Sequence, residues 1–137
     1  MTAKKWMSRA RRIDREINNL LQLKQNTRDN LTRITQEFDH DAVSGSHDPH
    51  KFDRLVALED EIDKRVDELI NVKQEILGLI NQLANRNQRI VLMSYYLNMK
   101  TWEQIAVDMH YSYDNIMRLR KLGLIEVERI LQEEKNT

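Results

Sequence analysis

Apolar residues return at alternating steps of four and three along the first part of the chain: Trp6, Ala10, Ile13, Ile17, Leu20, Leu31, Ile34 and Phe38, with Lys24 and Thr27 as the polar interruption. Positions three and four apart share one face of an α-helix, so these residues form a heptad seam. The seam predicts a helix over about residues 5–38, roughly 50 Å long at a rise of about 1.5 Å per residue. The same step recurs at Phe52, Leu55, Ile62, Val66, Leu69, Ile76, Ile80 and Leu83, interrupted by Glu59 and Lys73. It predicts a second helix over about 49–83, weakened locally by Gly78. Between the two, residues 39–48 gather Gly45, serines and aspartates, which is turn chemistry. Asp48 is placed to cap the second helix, with Pro49 at its favoured first position. Neither helix hides its seam alone. Folding back at the loop buries both, which predicts a long antiparallel helical hairpin over residues 1–84. Whether the hairpin closes within one chain or pairs with another chain stays open at this level.

A polar break at 84–87 marks a boundary, and residues 85–137 are expected to form a second domain. Its first helix runs from about Asn87 to Tyr96 or Leu97 and buries Ile90, Val91, Met93 and one of Tyr95 or Tyr96. Trp102, Ile105, Ala106 and Met109 then recur at helical spacing, and Ile116, Leu119, Ile130 and Leu131 continue the pattern toward Glu134. Thr101 and Ser112 precede these two helices, and a hydroxyl there accepts a hydrogen bond from an orphan N–H of the first turn. His110 occupies the turn position where glycine is commonest, because a left-handed backbone is needed there. Gly123 interrupts the last helix and is expected to bend it. The fold class is therefore all-α: the hairpin, followed by a C-terminal three-helix domain of helix-turn-helix form.

Composition narrows the classes. The chain has 137 residues, 3 Gly, 1 Pro and 32% charged residues, which suits long solvated helices. It has no Cys, which excludes a disulfide framework or thiolate metal site and leads us to expect a cytoplasmic protein. No apolar run is long enough for a bilayer, so no membrane partner is expected. No nucleophile–base constellation or glycine-rich phosphate loop occurs, so neither an enzyme nor a cofactor is expected. The formal net charge is +0, but residues 1–36 carry nine Lys/Arg and three Asp/Glu, residues 37–75 carry five and twelve, and residues 76–137 carry eight and seven. A basic first helix beside an acidic second one favours their pairing.

The segment 101–131 carries the functional expectation. The open face of its last helix would present Tyr113, Asp114, Asn115, Met117, Arg118 and Lys121. Asn and Arg are the side chains that read adenine and guanine edges in the major groove. Lys100, Thr101, Ser112 and Arg120, with the helix N-terminus, suit phosphates. Asp114 opposes them by repelling phosphate. The bland alternative is an ordinary helical hairpin with a solvated face. A second basic group, Lys4, Lys5, Arg9, Arg11, Arg12 and Arg15, either grips phosphate or pairs with the acidic helix. Within it, Trp6 reads as a seam anchor rather than a base-stacking platform. His40, Asp41, His47, Asp48 and His50 are metal-ligand types at spacings that match no closed site, so no metal is expected.

Three stretches carry a family resemblance: Asn87-Gln88-Arg89-Ile90-Val91-Leu92-Met93-Ser94-Tyr95-Tyr96-Leu97, Thr101-Trp102-Glu103-Gln104-Ile105-Ala106 and Tyr111-Ser112-Tyr113-Asp114-Asn115-Ile116. Together they resemble region 4 of bacterial sigma factors. With the arginine-rich opening Ser8-Arg9-Ala10-Arg11-Arg12-Ile13-Asp14-Arg15-Glu16-Ile17 and the 44–48 loop, nearly the whole chain is similar to small phage and prophage regulators of Gram-positive bacteria, of the ArpU/RinA kind, most specifically in Thr101–Ala106 and the opening and least in the hairpin body. The resemblance implies that the helix from Tyr113 reads double-stranded promoter DNA, that RNA polymerase is a partner, and that late phage or prophage genes are controlled. Tyr113 and Asp114 depart from the basic residues usual at that helix start. A homodimer through the hairpin would set two recognition helices about one DNA turn apart. The alternatives are a coiled-coil adaptor or structural protein, or a DNA-packaging component like a small terminase subunit.

Overall fold

A computed structural model describes residues 2–40 and 49–136, without the side chains of 37–40. The described residues are all-helical. Helix α1 spans Ala3–His40 and α2 spans Lys51–Ile80. Helix α3 (Arg86–Leu92) runs directly into a π-helical turn at Met93–Leu97, and α4 (Trp102–Met109) and α5 (Tyr113–Lys135) follow. No described helix is long and apolar enough to cross a membrane.

The element bounds differ from the periodic pattern in instructive ways. Helix α1 starts two residues before the expected 5 and continues through His40, because no Gly or Pro occurs before Gly45 to stop it. Residues 41–48, which hold most of the expected loop, the Asp48 cap and most of the metal-ligand types, lie outside the described residues. Helix α2 ends at Ile80 rather than at Leu83, where Gln82 N and Leu83 N bond three residues back, to Leu79 O and Ile80 O at 3.0 Å each. That tightening satisfies carbonyls a helix end leaves open. Arg89 donates to Leu83 O and Ala84 O of the same turn, and Asn85 caps α3 by accepting from Gln88 N at 3.0 Å. The third helix changes pitch after Leu92, where Asn98 N reaches Met93 O at 3.0 Å.

By packing, the chain forms two compact units, residues 15–70 and residues 1–14 with 71–137. In the first, the seam residues Leu20, Thr27, Ile62 and Leu69 are buried or half-buried, while Phe52 at the seam's edge is 46% exposed. Its polar interruptions find partners. Thr27 donates back to Leu23 O at 2.8 Å, Lys24 meets Asp63 at 2.7 Å, and Arg28 meets Glu59 at 2.9 Å. Arg65 bonds Glu16 at 3.0 Å. Position falls along α2 as it rises along α1 through these pairs. Each pair is at least partly exposed and stabilises little; together they fix register.

In the second unit, Ala3, Met7 and Ala10 of α1 pack with Ile76, Leu79 and Ile80 of α2, Leu92 and Tyr96, and Val127 and Ile130 of α5. Met7 and Leu79 lie off the heptad seam yet are buried, in one cluster with Leu92, Tyr96, Val127 and Ile130 of the C-terminal helices. Leu92, also outside the expected buried set, lies beneath Gly123 of α5. A Cβ at Gly123 would stand 3.0 Å from Leu92 Cδ1. Gly123 therefore does not break α5, which is one helix through this point; the absent side chain admits α3. Gly78 has nothing within 4 Å of its would-be Cβ. Gly78→Ala should raise stability by about 0.5–1 kcal/mol, whereas Gly123→Leu should lower it by about 1–3 kcal/mol. Urea unfolding followed by far-UV circular dichroism measures both. Equal signs for the two would contradict this placement.

Candidate nucleic-acid interface

Helices α4 and α5 meet across Ile105, Ala106, Ile116 and Leu119, with Val91 of α3 beneath and Met109 and Met117 at the margins. Ala106 is 9% exposed, and its small side chain suits the close contact. Both helix starts are built from hydroxyl caps. Thr101 Oγ1 accepts from Gln104 N at 3.2 Å while Gln104 Oε1 accepts from Thr101 N at 2.9 Å, a reciprocal capping box. Ser112 Oγ accepts from Asn115 N at 3.1 Å. Between them His110 adopts φ 58°, ψ 37°, in the left-handed region, and its N–H reaches Val107 O at 3.2 Å. Histidine tolerates this backbone at a cost that a branched residue would feel more strongly.

The candidate residues separate into three kinds of environment. Tyr113, Arg118 and Lys121 are exposed along α5, with Tyr113 at 45%. Asn115 is half-buried, and its Oδ1 accepts from Arg118 Nε at 3.2 Å and Nη2 at 2.9 Å. That pair holds the guanidinium in one direction and leaves Arg118 Nη1 free of a partner among the described residues. Thr101 and Ser112 spend their hydroxyls on caps, and Lys100 Nζ pairs with Asp108 at 2.7 Å. Met117 and Arg120 are half-buried and turned toward the packed side of α5.

Arg120 belongs to an arrangement that local spacing did not disclose. Its guanidinium lies 5.1 Å from the Trp102 ring centre. Trp102 stacks on Tyr95 at 3.8 Å with 11° between planes, and Arg11 sits 4.1 Å from the Tyr95 ring centre. Each ring has one face taken by the other ring, so the order is Arg11, Tyr95, Trp102, Arg120. Tyr96 meets both rings edge-on, at 4.9 Å and 6.5 Å. Burial pushes the Tyr96 phenol above its ordinary range, opposed by the neighbouring Arg120 charge. Arg11 also donates from Nη1 to Tyr95 O at 2.8 Å and to Lys100 O at 3.4 Å. Four segments thus meet in one stack, which ties the segment before α4 to α5.

The basic opening of the chain divides accordingly. Arg11 is an internal clamp. Arg9 lies 4.8 Å from the half-buried Trp6 ring and donates to Trp6 O at 3.1 Å. Lys4, Lys5 and Arg12 are outward, and among the described residues no ion pair engages them. An arginine-rich count does not separate these roles; the angular offset of Arg11 from Arg9 and Arg12 around the helix is the only signal the sequence offers.

Among the described residues no group of His, Asp and Glu is arranged to hold a metal ion. Residues 35–128 match a family described as a protein of unknown function (DUF1492), and the chain belongs to that family. No curated protein and no solved structure matches the chain.

Proposed function

We propose that this chain is a sequence-specific DNA-binding transcriptional regulator of phage or prophage genes. In this reading α4 and α5 are a helix-turn-helix of sigma region-4 kind, and the helix from Tyr113 enters the major groove. The paired α1 and α2 are an antiparallel hairpin closed within one chain, available for self-association or for RNA polymerase. The observation that supports the reading best is the Asn115–Arg118 pair. It presents a guanidinium, already oriented, from the first turns of a capped and exposed helix. Held this way, Arg118 loses less conformational freedom on meeting a guanine edge than a free arginine would. The outward cations Lys4, Lys5 and Arg12 supply a non-specific electrostatic contribution. Asp114 limits phosphate contact at the very start of α5.

Selection from a pool of random duplexes, using the full chain at near-physiological salt, tests the proposal. One enriched motif should emerge. Arg118→Ala should weaken binding to it by about 1–3 kcal/mol while changing binding to unrelated duplex far less. A chain that enriches no motif and binds duplex only as a weak polycation would remove the reading in favour of an adaptor. A selected motif bound equally by Arg118→Ala would move the recognition surface elsewhere.

A further inference from the structure

Two surfaces of this chain are each left open, and they match in chemistry. The first is a groove of about 540 Å³ in the unit formed by residues 1–14 and 71–137, between the first turn of α1 and the middle of α5. Met117, Leu124 and Ile125 supply its apolar wall, and Ile125 keeps 56% of its surface exposed. Lys4 and Lys121 stand on its rim, and no ion pair engages either among the described residues. The one carboxylate in the lining, Glu128, is already used: it accepts from Ala3 N at 2.9 Å and from Gln132 at 3.2 Å. The groove is therefore apolar with a net positive lining, Lys4, Arg120 and Lys121 against the single carboxylate of Glu128.

The second surface is on α2 in the 15–70 unit. Asp53, Val56, Asp60, Asp63, Asp67 and Ile70 follow steps of three and four, each one position past a seam residue. They form a separate stripe about 100° around the helix from the seam, with Asp63 on the flank beside α1. Val56 and Ile70 are 39% and 41% exposed. Asp63 holds Lys24, while no ion pair engages Asp53, Asp60 or Asp67 among the described residues. The stripe is apolar at intervals and otherwise anionic.

We propose that the groove of one copy receives the 53–70 stripe of a second copy. Val56 or Ile70 then meets the apolar wall, which spans about 12 Å from Met117 to Ile125, and the aspartates beside it face Lys4 and Lys121. Residues 117–128 line the groove over about 16 Å and the 53–70 stripe runs about 26 Å, so one helix face is long enough to cover it. A duplex would satisfy the rim but leave the apolar wall uncovered; an acidic helix face satisfies both. The pairing also gives a use to a chain whose +0 net charge hides a basic opening and an acidic middle. It does not depend on the DNA reading, and it assigns Lys4 and Lys121 to a neighbouring copy rather than to phosphate.

Sedimentation velocity on the full chain tests it. The mass should exceed one copy at about 50 mM salt and fall toward one copy at about 500 mM, where screening is nearly complete within about 5 Å. Lys4→Glu with Lys121→Glu should give a single copy at low salt, as should Asp60→Lys with Asp67→Lys, each with an unchanged helical spectrum. Mixing the two variants should restore association, because each then carries the complement of the other's reversed surface. A wild-type chain of one copy at low salt would overturn the proposal, as would association untouched by both reversals. Loss of duplex binding in the Lys4/Lys121 variant with its mass unchanged would assign the groove to nucleic acid and overturn it equally.

Discussion

Trp102→Ala should lower the stability of the unit formed by residues 1–14 and 71–137 by about 3 kcal/mol. Truncating a tryptophan removes a large apolar area, and here it also removes the only ring face between Tyr95 and Arg120. The stacked pair and the overlying guanidinium each contribute roughly 0.5–1.5 kcal/mol beyond area. Trp102 is half-buried, which keeps the expected loss at the low end of the range for such truncations. The buried Arg120 Nε has no hydrogen-bond partner and lies in a half-buried guanidinium over the ring, so loss of the ring removes one of its supports beside Tyr96. Trp102→Phe preserves a stackable face and should recover more than half of the loss. Urea unfolding followed by circular dichroism reads both. A loss under about 1 kcal/mol for the alanine variant would show that the stack is incidental to stability.

Arg11→Ala is expected to cost about 2 kcal/mol, although nothing near it in sequence suggests more than a solvated cation. The guanidinium donates to two carbonyls, and the 2.8 Å bond to Tyr95 O is the stronger. Charge-assisted hydrogen bonds of this kind contribute about 1.5–3 kcal/mol, and partial exposure places Arg11 in the lower half. Arg11→Lys should recover less than half, because one ammonium cannot both lie flat on a ring and reach two carbonyls. Arg12→Ala, one residue on and unpaired, should fall within about 0.5 kcal/mol of wild type. That contrast separates a clamp from a general need for positive charge. Because Arg11 and Trp102 share Tyr95, the double variant should lose less than the two single losses added together.

Much of the fold was legible because helices are periodic. Ile105, Met109, Ile116 and Leu119 were expected to meet from their spacing, and they do. Thr101 and Ser112 were legible as caps because the chemistry of a cap is local: one hydroxyl and one N–H three residues away. Met7, Leu79 and Leu92 were not legible as buried, since a heptad seam predicts only the face toward one partner. Gly123 read as an interruption because sequence shows the missing side chain and not the neighbour that needs the space.

For the candidate interface the division is sharper. Asn115 and Arg118 were expected together on the open face of the last helix, but their mutual hydrogen bonds depend on rotamers that no spacing specifies. Arg120 was grouped with phosphate ligands by residue type and lies over Trp102 instead.

The amino-acid order alone determined an all-helical chain, where most helices begin, and which faces are apolar, because these follow from rotation per residue and from hydrogen bonds reaching three or four positions. Packing alone decided that the first fourteen residues belong with the C-terminal helices, and which arginines point inward. Those outcomes depend on contacts between elements, Arg11 with Tyr95, Ala3 with Glu128 and Arg120 with Trp102 among them, and local periodicity carries no information about which other face arrives.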